Sequence, residues 1–164
     1  MKRDKSVVSF ERSNCSRFDE SDVENDVYKE FASTYLDNAS YNWSMPELLR
    51  RVGAITKMPT EELWLTNAGT LFFGINPEKD VPQSFIRLVR FDVPYSEHKN
   101  RPAPTYDKKF TGSITKQIRD FRTFILESAF FEVYQRRNPS GGFSEEPEYP
   151  TIAIDESVVN AVAH

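Results

Sequence analysis

Two different periodicities of apolar residues occur in this chain, and together they constrain its fold more than any other feature. Ile114, Ile118, Phe121 and Ile125 recur at the spacing of one face of an α-helix. From Phe85 to Val93 the spacing changes. There Phe85, Arg87, Val89 and Phe91 alternate with Ile86, Leu88 and Arg90, which is the period of a strand. Apolar residues on both sides of that strand predict a central position in a sheet. The expected architecture is therefore α+β: a helical N-terminal half, then a small mixed β-sheet of about three to four strands packed by the long helix.

Local signals divide the rest of the chain. Residues 1–18 read as an N-terminal tail, with a short strand near Val7, Val8 and Phe10 and a loop over 12–18. Ser21-Asp-Val-Glu24 has the capping-box pattern, and Val23, Val27, Phe31 and Tyr35 follow at four-residue spacing, predicting a helix over 21–36. A second box, Ser44-Met-Pro-Glu47, places Pro46 in a first helical turn, and Gly53 is positioned to end that helix. Leu63-Trp-Leu65 reads as extended. Thr66 then caps a short helix closed by Gly74, and the small Ala68 and Gly69 let that helix approach a neighbour closely. Residues 19–76 thus form a helical, winged-helix-like subdomain, and 77–164 an α+β segment. In that segment residues 106–111 are expected as an edge strand, 113–128 as the long helix and 130–137 as a strand. Asn138-Pro-Ser-Gly-Gly142 is a turn, residues 145–150 a polar connection, and Pro150 can start a final helix.

The charge balance limits what the chain can bind. A net charge of −4 opposes the basic footprint of a self-sufficient nucleic-acid binder. Arg50, Arg51 and Lys57 are the candidates for phosphate contact, with Arg87, Arg90, Arg136 and Arg137 as a second group. The same arginines also suit a plainer role, with stems lying over apolar neighbours and heads paired with the chain's 25 acids. Cys15 is the single cysteine, and its spacing from His98 and His164 matches no zinc site. No stretch approaches the roughly 20 apolar residues that span a bilayer, and no signal-peptide core follows the charged start. These features point to a soluble cytoplasmic protein with no membrane partner. No P-loop, nucleophile elbow or dinucleotide fingerprint is present.

Glu156 and Asn160 are four residues apart, so on a helix both project from one face. That spacing belongs to ordinary surface pairs, and it is also similar to the first nucleotide-binding helix of the GHKL ATPases. Four further blocks occur in order. They are Leu65-Thr-Asn-Ala-Gly-Thr-Leu-Phe-Phe-Gly74 with Asn76-Pro77, then Phe85-Ile-Arg-Leu-Val-Arg-Phe91, Phe110-Thr-Gly112, and Tyr149-Pro150 before the last helix. Together they resemble the RecG-related transcriptional regulators, which join a Schlafen AlbA-type DNA-binding domain to a divergent GHKL-like ATP-binding domain. The resemblance covers about two-thirds of the chain.

The resemblance implies ATP and magnesium as cofactors. It makes Glu156 the water-orienting base and Asn160 the residue that holds the magnesium bridging the phosphates, and it puts His164 beside the nucleotide. It also implies that residues 77–164 lead into a truncated ATP-binding domain. The family's Alba-like domain and glycine-rich nucleotide lid do not occur in this sequence. The expected function is a non-catalytic regulatory or linking module that couples nucleotide binding to DNA binding or oligomerisation. Expected partners are a second copy or another protein chain, and DNA through the parent protein. One alternative is a composite ATPase site completed by another chain. The other is a small nucleic-acid-binding domain acting through Arg50, Arg51 and Lys57.

Overall fold

The computed structural model describes residues 9–35, 43–91, 103–127 and 132–163. The fold is α+β. The described residues group into two units, one reaching to Phe85 and including Thr111–Lys116, the other comprising Ile86–Phe110 and the residues from Gln117 onward.

In the first unit the apolar run Leu63-Trp-Leu-Thr66 forms the central strand of a three-stranded antiparallel sheet. This is β3 (Leu63–Thr66), flanked by β1 (Asn14–Arg17) and β2 (Ile55–Lys57). Three helices accompany the sheet: α1 (Asn25–Tyr35), α2 (Met45–Arg51) and α3 (Asn67–Phe73). Their ends follow from local chemistry. The Glu47 carboxylate accepts from the Ser44 N–H at 2.9 Å and from its hydroxyl at 2.7 Å, and Pro46 sits in the first turn of α2. Gly53 takes φ +80° where α2 stops, a conformation that costs glycine nothing sterically. Val23, Val27, Leu49, Ala54, Ile55, Leu65 and Phe73 form the core of this unit.

Three expectations need correction here. The capping pattern at Ser21 does not start α1, because Asp19 takes the Ser21 N–H at 2.8 Å and its hydroxyl at 2.7 Å in a 3-10 turn. The helix begins at Asn25, and Val23 is buried just before it in a bridge with Gly74. The expected loop over 12–18 contains β1, paired to β3 through a bulge between Asn14 and Ser16. The N-terminal half therefore carries a sheet as well as helices.

In the second unit β4 (Ile86–Arg90) pairs antiparallel with β5 (Tyr106–Phe110). The apolar face of α4 (Ile114–Glu127) buries Phe121 and Ile125 in a core with Ile86, Phe110, Ile154 and Val158. The Phe110 and Phe121 rings meet edge-on at 5.4 Å, a favourable quadrupole geometry. A hairpin of β6 (Val133–Arg137) and β7 (Phe143–Pro147) precedes α5 (Thr151–Ala163). Every described ladder is antiparallel, in three small sheets, where one mixed sheet was expected. Among described residues β4 has β5 as its one strand neighbour, and Arg87 stays on an exposed face, held by Asp107. The polar connection expected over 145–150 is in part β7, whose Glu145 and Glu146 sit opposite Gln135 and Tyr134.

Candidate functional site

Helix α5 carries the residues on which the functional reading turns. Pro150 opens it, its carbonyl accepting the N–H groups of Ala153 at 2.9 Å and Ile154 at 3.2 Å. Ile154 and Val158 are buried, Val162 packs beside them, and all three face the core of the second unit. Arg122 on α4 reaches Asp155 at 2.8 Å, an exposed pair compatible with the rotation that the buried stripe sets. At about 100° per residue, Glu156 and Asn160 then lie roughly opposite the buried stripe. Both are exposed, as are Ile152 and Val159 on the same outer side.

The apolar residues of α5 extend beyond its packed side: Ile152 is 70% exposed and Val159 52%. The outer side thus joins a carboxylate and a carboxamide, one turn apart, to uncovered apolar surface. His164, and likewise His98, lies outside the described residues.

That outer side suits one wall of a magnesium–nucleotide site. The Asn160 carboxamide oxygen is a hard ligand of the kind magnesium takes, and the Glu156 carboxylate can orient a water. It does not amount to an enclosed site. No described cluster of three or more His, Cys, Asp or Glu side chains is placed to hold a metal ion. The hollow of about 630 Å³ in the second unit is lined by Leu88, Phe121, Ile125, Tyr149, Ala153 and Ser157, among others, and neither Glu156 nor Asn160 contributes to it.

The cationic candidates are already engaged for the most part. Arg50 and Arg51 occupy the last turn of α2, and Lys57 ends β2. The Arg51 guanidinium lies 4.6 Å from the centre of the Trp43 ring, and the Lys57 ammonium is paired with Glu61. Arg87 is held by Asp107 and Arg136 by Glu146. Phosphate would have to compete with these partners.

Two features escaped sequence reasoning. An apolar hollow of about 460 Å³ in the first unit is lined by Val27, Phe31, Val52, Ala68, Phe72 and Phe73, with others. Its signal was Phe72-Phe73, since adjacent residues on a helix cannot both face one core. The second feature is the thiol of Cys15, which burial pushes up despite the nearby Thr70 hydroxyl, with the Asp80 charge adding to the rise. Such a thiol is a poor nucleophile near neutral pH.

No known protein family matches this chain, and no curated protein does. Among solved structures, the DIP2311 protein from Corynebacterium diphtheriae superposes with a TM-score of 0.55 at 17% identity. The match takes in 95% of this chain and 28% of that one, so this chain spans a little over a quarter of the larger protein. At that identity the likeness concerns the fold alone. It shows this architecture as one segment of a longer chain. No helix among the described residues is long and apolar enough to cross a membrane.

Proposed function

We propose that this chain is a non-catalytic linking module of an ATP-binding, RecG-related transcriptional regulator, and that the outer side of α5 is one wall of its nucleotide site. The observation that carries the reading is the placement of Glu156 and Asn160. They stand together on an exposed helix face flanked by the uncovered Ile152 and Val159. Ile152 and Val159, seven residues apart on one side of that pair, extend the face with apolar surface that a partner chain can cover. Bound ATP–magnesium would supply the phosphates and the charge that the module senses. This chain's part is to present Asn160 toward the metal and Glu156 toward water, and to pass occupancy on to DNA binding or oligomerisation. The wall is completed by a second copy or by another protein chain. DNA contact belongs to the parent protein, since Arg51 and Lys57 are already engaged. We place the protein in the cytoplasm, where the free thiol of Cys15 stays reduced.

Calorimetry with a non-hydrolysable ATP analogue and magnesium tests the reading, on the chain and on Asn160→Ala. Saturable binding lost in the variant supports a half-site completed by self-association. Binding that survives in Asn160→Ala removes α5 from the site and sinks the proposal. If the analogue binds only when a partner chain is added, the composite ATPase becomes the reading to pursue, and Glu156→Ala must then abolish turnover in the assembly.

A further inference from the structure

The β6–β7 hairpin is a two-stranded sheet whose packing is confined to its base, where Val133 and Pro147 border Ile125, Leu126 and Ile154. All five residues of each strand are exposed, on both faces. Val133 is 56% exposed, Tyr134 52% and Phe143 70%. An isolated hairpin in water is marginal at best and gains stability from a further strand or a packing surface. The question is which of its two edges can accept another strand.

The ladder answers it. The Asn138 N–H bonds the Gly142 carbonyl, and the Glu148 N–H bonds that of Glu132. Since antiparallel pairs alternate, the backbone groups of Tyr134 and Arg136 point into the hairpin. Those of Val133, Gln135 and Arg137 point out along the β6 edge. On β7 the outward positions are Phe143, Glu145 and Pro147. Pro147 has no N–H to offer, and a two-fold pairing of β7 with itself about Glu145 would set Glu145 against its own copy. That edge is blocked.

We propose that the outer edge of β6 pairs antiparallel with β6 of a second copy of this chain, about a two-fold axis at Gln135, making one four-stranded sheet. Gln135 then meets Gln135 of the second copy. Arg137 lies opposite Val133 of the other copy, and Arg136 opposite Tyr134. No like charges face each other across the new ladder. The Arg137 stem extends an apolar row between Phe143 of its own hairpin and Val133 of the other copy. The Arg136 guanidinium keeps Glu146 at 3.1 Å and gains the face of a tyrosine ring. Every outward position on β6 has an N–H to give. Two-fold pairing closes the assembly at two copies, whereas pairing β6 with the β7 edge would propagate without end.

Sedimentation and light scattering across a concentration series of the full chain read the outcome. The wild type is expected as a dimer. Gln135→Pro removes an outward N–H and leaves the hairpin's own ladder intact. It should weaken the dimer by roughly thirty-fold, from two hydrogen bonds lost per pair of chains. Glu145→Pro, the equivalent change on the other edge, should leave the dimer unchanged. A second test asks where the chains meet. In a Cys15→Ser background, Gln135→Cys should cross-link to a dimer on oxidation, because directly opposed residues lie at disulfide distance. Val133→Cys should not, because it faces Arg137. A monomeric wild type, growth beyond a dimer, a dimer untouched by Gln135→Pro, or failure of Gln135→Cys to cross-link would each overturn the proposal.

Discussion

A Cβ added to Gly69 would fall 2.0 Å from the carbonyl oxygen of Ala54, so α3 rests backbone to backbone on the residue that leads into β2. The obstacle is main chain on both sides, and no rotamer change relieves it. Gly69→Ala is therefore expected to destabilise the first unit by about 3 kcal/mol, the upper part of the usual overpacking range. Helix propensity alone would favour alanine, so the two effects oppose each other and the clash wins. Urea unfolding decides the sign, and a Gly69→Ala variant as stable as wild type would mean that α3 does not approach β2 this closely.

Thr66 serves the same junction. Its buried hydroxyl accepts the Gly69 N–H at 3.0 Å and is within donating distance of the Gly53 and Ala54 carbonyls, at 3.0 and 3.2 Å. Thr66→Val keeps the volume but leaves the cap donor and the carbonyls without that partner. A loss of about 2 kcal/mol is expected, with Thr66→Ser recovering most of it. Equal stability of the valine and serine variants would show that the hydroxyl contributes little.

Arg87 and Asp107 give a pH signature. The hydrogen bond from Arg87 is the main cause holding the Asp107 carboxyl below the usual carboxylate range, and the charges of Arg87 and Lys109 add to it against desolvation. A carboxyl depressed in the folded state contributes stability above its unfolded pKa, about 3.9, and loses it as pH falls through the lower folded value. Wild type and Asp107→Asn should therefore differ in denaturation midpoint near neutral pH and converge below about pH 4. The gap is small, because the side chains are 51% and 37% exposed. A difference that persists unchanged into strong acid would assign the effect to packing.

What could be read from the chain in advance follows from how locally each element is determined. α2 and α4 carry their own caps or stripes, and both form where those signals lie. β1 has no such signal. Asn-Cys-Ser-Arg shows no apolar alternation, and it is a strand because Leu65 and Trp64 of β3 offer it a ladder. β7 is similar, since Glu145-Glu-Pro147 reads as part of a polar connection until the Asn138–Gly142 turn returns the chain along β6. For α5, the four-residue spacing puts Glu156 and Asn160 on one face. It does not say which face is covered, because Ile152 and Val159 are as apolar as Ile154 and Val158. The packing with Phe121 and Ile125 makes that choice, and the Arg122–Asp155 pair is compatible with it.

That choice yields the remaining prediction, on which the functional test depends. Val158 is 2% exposed and Val159 52%, although they are neighbours of identical chemistry. Val158→Ala should cost about 2 kcal/mol through lost burial and the cavity left behind. Val159→Ala, Glu156→Ala and Asn160→Ala should each stay within about 0.5 kcal/mol of wild type, as exposed positions do. Thermal or urea unfolding of the four variants checks this in one series. If Asn160→Ala unfolds as readily as Val158→Ala, α5 is rotated differently on its core and any loss of nucleotide binding would report on folding. If the pattern holds, a loss of binding in Asn160→Ala belongs to the site itself.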